Sequence, residues 1–198
     1  MKLEQVFKQW GYEVSDEFRD FDYLCSREPE KCFYIDRFPQ LINDFNKYQQ
    51  EEMFYEQVKN NKISEKRFYA EELKFINILK KLWLYNSVIG ETNFCEIEDK
   101  IIKEALNYGS DNNMNLFKDK LMRGKEQSFT LEENNLLEII AKLGVRECVY
   151  STLIFLDYKI VINVYSMCFQ VYIDDLSKLS LIREVICTEG LYLRSYII

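Results

Sequence analysis

The hydrophobic period of this chain changes at Gly144, and that change limits the folds open to it. Upstream, apolar residues recur every three to four positions, the spacing that puts them on one face of a helix. Leu3, Val6, Phe7 and Trp10 form one such face, with Gly11 as its stop. Ser15 is placed to cap a second helix, with Asp16 and Glu17 in its first turn and Phe18, Phe21 and Leu24 on its inner side. Pro29 punctuates the next connection. Asp36 caps a longer helix that runs through Phe38, Leu41, Ile42, Phe45 and Tyr48 towards Val58, where Pro39 is tolerated only in the first turn. Ser64 opens another, with Tyr69, Leu73, Ile76, Leu79 and Trp83 as its stripe. Thr92 or Asn93 starts the next, which carries Ile97, Ile101, Ile102, Ala105 and Leu106 and stops at Gly109. Met114 to Arg123 is a short helix closed by Gly124. Thr130 with Glu133 reads as a capping box for a final helix bearing Leu136, Leu137, Ile140 and Leu143 and ended by Gly144.

Downstream the composition is that of strands. Cys148 to Leu156 and Ile160 to Ile173 are β-branched and aromatic, and Asp174 with Asp175 breaks the run as a cap or turn. Leu179 to Cys187 fits a helix or a strand, and Gly190 admits a last strand over Leu191 to Ile198. The predicted fold is α+β: an N-terminal bundle of about six helices followed by a small C-terminal antiparallel sheet of three to four strands. One domain covers 1–198, with a helical lobe over 1–144 and a β-rich lobe over 145–198. Val149 to Ile173 resembles a membrane span in length, but Asp157 and Lys159 sit near its middle. Each would cost about 2.5–3.5 kcal/mol there, so buried strands around a turn are expected instead. Met1 to Trp10 reads as an amphipathic helix and not as a secretory signal, which points to a cytoplasmic protein. Its six cysteines contain no C-x-x-C pair; they are expected as reduced thiols, with Cys148, Cys168 and Cys187 acting as small apolar residues.

The chain has no histidine. Histidine-activated Ser or Cys nucleophiles, imidazole zinc sites and imidazole acid–base chemistry are therefore excluded. No Gly-rich phosphate loop, dinucleotide fingerprint or Gly-flanked nucleophilic serine is present. No catalytic residue, cofactor or metal ligand is expected. The acid pairs Glu51–Glu52, Glu71–Glu72 and Glu132–Glu133 point about 100° apart on a helix and read as solvated faces.

Charge gives the functional expectation. Net charge is −7, which repels nucleic acid and anionic membranes and favours a basic protein partner. From Glu13 to Asp22 the chain carries Glu13, Asp16, Glu17, Asp20 and Asp22 against Arg19 alone, with Tyr12 and Tyr23 at its ends. Those two tyrosines and five acids are the predicted partner-binding residues. The basic stretch Lys59 to Lys81 is expected to pair with this acidic segment, within or between chains, and not with polyphosphate. The function expected is that of a non-enzymatic intracellular binding module, such as an inhibitor or immunity protein that neutralises a basic toxin, for instance a nuclease. A histidine-free carboxylate and Mg²⁺ enzyme, with acids such as Asp157, Asp174 and Asp175 converging, and a regulatory scaffold are the alternatives.

Overall fold

The computed structural model describes residues 3–12, 20–59, 61–106 and 128–196. Among them, β1 (Cys32–Asp36), β2 (Val88–Thr92), β3 (Ser128–Thr130), β4 (Ser151–Phe155), β5 (Ile160–Val164), β6 (Cys168–Ile173) and β7 (Tyr192–Ser195) form one sheet. Its order is β3-β2-β4-β5-β6-β1-β7, and every neighbouring pair is antiparallel. The helices are α1 (Leu3–Gln9), α2 (Phe21–Arg27), α3 (Phe45–Glu51), α4 (Tyr55–Val58), α5 (Lys62–Trp83), α6 (Asp99–Leu106), α7 (Asn134–Val145) and α8 (Leu179–Cys187).

Alternation along the strands sorts side chains between two faces. Phe33, Ile35, Leu153, Phe155, Ile162, Phe169, Val171 and Leu193 pack with α4, α5, α6, α7 and α8 in the larger core. The residues between them, Cys32, Ile89, Ile154, Val161 and Tyr172, face the other way and pack with Val6 and Phe7 of α1 and Phe21, Leu24 and Cys25 of α2. The sheet is thus the middle of three layers. Beyond the apolar part of the second face, Thr152 Oγ1 bonds Asn163 Oδ1 (2.9 Å) and Asn163 Nδ2 donates to Gln170 Oε1 (3.2 Å). This ladder satisfies polar side chains across three strands.

The α+β class holds, but the predicted arrangement does not. The sheet has seven strands and not three to four, and the helices do not form an N-terminal bundle. β1, β2 and β3 all come from the stretch expected to be helical. Asp36 ends β1 instead of opening a long helix: its Oδ1 accepts from the amide of Phe38 (3.1 Å), closing a local turn. The segment to Val58 then splits into α3 and α4. α3 buries nothing, and Phe45 is 67% exposed. Thr92 belongs to β2, Asn93 opens only a 3-10 turn over Phe94–Glu96, and the α-helix starts at Asp99. The capping box is not formed, because Thr130 pairs with Ile89 across β2–β3 and Glu133 caps α7 without a side-chain bond. Asp20 caps α2, while Ser15 lies outside the described residues. So do Gly109 and the short helix expected over 114–123. Leu179–Cys187 is a helix, and 160–173 is two strands joined at a turn.

Gly144 does not stop α7. It lies inside the helix and is buried, and a Cβ there would meet the Val164 carbonyl oxygen at 2.7 Å. Glycine therefore lets the end of α7 press against the backbone of β5. The Gly144 carbonyl accepts from the amides of Glu147 and Ser166, both at 2.9 Å, which ties the α7–β4 and β5–β6 turns together.

Candidate functional site

The predicted partner-binding segment separates into two parts. Tyr12 is not a free surface side chain. Its hydroxyl donates to Asp174 Oδ1 (2.5 Å) and lies 2.6 Å from that of Tyr172. Lys31 Nζ donates to Tyr12 (2.8 Å), Glu28 (2.9 Å) and Asp174 (3.1 Å), and the Tyr172 hydroxyl donates to Glu28 Oε2 (2.5 Å). This clasp fastens the segments carrying α1 and α2 to the end of β6. Burial alone would raise the Glu28 carboxyl, but hydrogen bonds from Tyr172 and Lys31 hold it below its ordinary value. Asp174 thus does more than break the strand, a role no local pattern signals.

Asp20 and Asp22 are exposed, and neither makes an ion pair among the described residues. Asp20 Oδ1 accepts the amide of Asp22 (2.9 Å), which makes it the N-cap of α2. Tyr23 is half-buried, and its hydroxyl accepts from Arg27 Nη1 (3.3 Å). Glu13, Asp16 and Glu17 lie outside the described residues. The basic stretch Lys59 to Lys81 does not pair with this segment among the described residues. Arg67 pairs with Glu51, Lys80 with Glu138 (2.6 Å), and Lys81 with Glu189.

Two sites escaped the sequence reading. The first is buried. Glu72, expected on a solvated face, is 3% exposed and accepts from Arg146 Nε and Nη2 at 2.6 and 2.7 Å. The Arg146 guanidinium lies 4.9 and 5.1 Å from the ring centroids of Tyr55 and Tyr69 and also donates to the Ala105 carbonyl. A hollow of about 560 Å³ opens beside it, lined partly by Tyr55, Glu56, Lys59 and Ala105. Its Lys59 already pairs with Glu56 at 2.5 Å, and Arg146 is spent on Glu72.

The second is a cleft of about 280 Å³ where β1 leaves the sheet. Asp36, Arg37, Phe38, Leu41, Tyr48, Glu52, Met53 and Phe54 come from the chain between β1 and α4; Glu147, Ser166, Met167, Cys168 and Arg194 come from the turns and strand opposite. Arg194 Nη2 donates to Asp36 Oδ2 (3.0 Å), and its guanidinium lies 4.8 Å from the Tyr34 ring centroid. Arg37 Nη2 donates to the Glu51 carbonyl (3.0 Å), and its guanidinium lies 4.9 Å from the Phe38 ring centroid. The Nε atoms of Arg37 and Arg194 are the buried side-chain polar atoms without a partner among the described residues. Glu147 and Ser166 both have positive φ, 60° and 59°, a conformation non-glycine residues avoid. Burial raises the Glu147 carboxyl pKa and the neighbouring Glu52 adds to it; burial also pushes the Cys168 thiol up to about 12. No sequence motif links these residues, which are drawn from four separate stretches of the chain.

Of the cysteines, Cys25 and Cys32 are buried, Cys148 and Cys168 are half-buried, and Cys95 and Cys187 are exposed; all six are free thiols. Cys187 is thus not the core residue its apolar neighbours suggested. Among the described residues no three Cys, Asp or Glu side chains gather as metal ligands, and no helix is long and apolar enough to cross a membrane. Comparison with protein-family models, with characterised proteins and with solved structures finds no match to this chain.

Proposed function

We propose that this chain is a non-enzymatic, cytoplasmic protein-binding module that docks a basic partner through the acidic segment around α2. Its most concrete form is an inhibitor or immunity protein that neutralises a basic toxin such as a nuclease. The observation carrying the reading is the charge of Asp20 and Asp22: both are exposed and form no ion pair among the described residues, while Lys80, Lys81 and Arg67 are spent on carboxylates elsewhere. A net charge of −7 adds a long-range field of the same sign, which speeds encounter with a cationic surface. The Tyr12–Lys31–Glu28–Asp174 clasp supports it further, because a helix fixed to the sheet presents its acids without an ordering cost at docking.

The test is isolation of a stoichiometric complex with a basic protein from the native cell, followed by charge reversal of Asp16, Glu17 and Asp22 to Lys. Asp20 is left intact because it caps α2. Affinity is expected to fall by about 100-fold, mainly through the association rate, with a flatter dependence on salt. Unchanged affinity in a folded triple variant removes α2 as the interface.

A further inference from the structure

The cleft beside β1 holds charges of both signs that form no ion pair among the described residues. Arg37 makes no ion pair among the described residues, although burial works against its charge and lowers its pKa. Its Nη1 makes no hydrogen bond there either and, unlike Nε, is not sealed from solvent. Among the described residues Glu52 and Glu147 form no ion pair, and the Glu147 carboxyl accepts no hydrogen bond. The remaining pair, Asp36 and Arg194, is already closed at 3.0 Å. One cation and two neighbouring carboxylates therefore line the same 280 Å³ without reaching one another at ion-pair distance. A partly buried charge without an ion-pair partner is expensive, so the arrangement stands ready for a ligand that brings both signs at once.

The walls restrict that ligand further. Phe38, Leu41, Met53, Phe54 and Met167 supply apolar surface between the charged groups. Arg37 is held in place by the Phe38 ring and the Glu51 carbonyl, so its open Nη1 is preorganised to donate to a carboxylate. Glu147 is held by a backbone at φ 60° whose amide is anchored to Gly144, next to Ser166 in the same conformation.

From this geometry we propose that the cleft binds a free α-amino acid with an apolar side chain, its carboxylate on Arg37, its ammonium at Glu52 and Glu147, and its side chain against Phe38, Leu41 and Met53. The volume sits near the lower end for small-molecule sites, which suits a ligand of this size. The site is separate from the acidic surface of α2, so either can fail without the other.

The experiment is calorimetric titration of the full chain with L-leucine, L-methionine and L-phenylalanine, beside 3-methylbutylamine and 4-methylpentanoate. The last two are leucine without its carboxylate and without its ammonium. Saturable one-to-one binding of at least one amino acid is expected, with both leucine analogues at least about tenfold weaker than leucine itself. Arg37→Met and Glu147→Gln should each weaken the amino acid by about tenfold or more while circular dichroism stays unchanged. Should Arg37→Met fail to fold, Glu147→Gln alone decides, because its residue is not sealed in the core. Absence of saturable heat from all three amino acids up to about 10 mM, equal binding of either analogue, or unaltered affinity in folded Glu147→Gln each overturns the proposal.

Discussion

Glu72 and Arg146 meet in the interior as a two-pronged ion pair, with the cation flanked by two phenol rings. Taking both charges out of water costs heavily, and their mutual attraction offsets this only while both are present. Glu72→Ala leaves the guanidinium charged and buried, with the Ala105 carbonyl and the two rings but no carboxylate beside it. A loss of about 3–5 kcal/mol in urea unfolding is expected, with much of it recovered when Arg146 is replaced by Met in the same chain. A loss below about 1 kcal/mol would mean that the pair is solvated, as surface pairs of that small worth are. Nothing in the local pattern distinguishes Glu72 from Glu71, which pairs with Lys74 one turn away. The distinction comes from a partner 74 residues distant, so it is invisible to helix spacing. The same holds for Arg37, whose exceptional state lies in having no ion pair among the described residues.

At the scale of elements, helices were legible where one face stays apolar for several turns. α1 and α7 appear close to where their spacing put them, and α5 runs from Lys62 to Trp83. Its buried side is nonetheless centred on Phe68, Phe75, Ile78 and Leu82, leaving Leu73 54% exposed. β1 was illegible for a physical reason. Five residues, Cys32–Asp36, are too few for alternation to stand out, and the apolar residues after Asp36 happen to fall at helical spacing. Pairing with β6 and β7 overrides that local preference. The candidate cleft was hidden with β1, since its floor exists only once that strand is in place.

Gly144 gives the sharpest test of how elements meet. In a helix with free space, Gly→Ala stabilises by roughly 0.5–1 kcal/mol. Here the added carbon would press on Val164 Cγ1 at 2.6 Å and on its carbonyl oxygen at 2.7 Å. Gly144→Ala should therefore destabilise by about 1–3 kcal/mol in thermal or urea unfolding. A stabilised variant would mean that α7 does not abut β5.

For the molecule as a whole, two carboxylates make ties on opposite sides of the sheet. Glu28 ties the α2 side to β6, and Glu138 joins α7 to α5 through Lys80. Hydrogen bonds from Lys142 and Lys80 hold the Glu138 carboxyl below its ordinary value, as Tyr172 and Lys31 do for Glu28 against the effect of burial. As pH falls, the unfolded chain protonates these groups before the folded one does. Their contribution is thus whole above the ordinary value of 4.5 and is lost as pH drops through the lower folded values. Urea midpoints should hold from pH 7 to about 5 and decline below about 4.5, with Glu28→Gln and Glu138→Gln together removing much of that decline. An equally steep decline in the double variant assigns acid sensitivity to other groups.

The position of β1 between β6 and β7 also has a consequence for biosynthesis. Asp36 leaves the ribosome 132 residues ahead of Cys168, the residue opposite it. At about 5–20 residues per second, the nascent polypeptide carries Phe33 and Ile35 on an unzipped ribbon for roughly ten seconds, ample time for a holding chaperone to engage it. A message cut short before codon 168 yields a product with no means of closing that gap, and quality-control proteases would meet it with those apolar residues still in view.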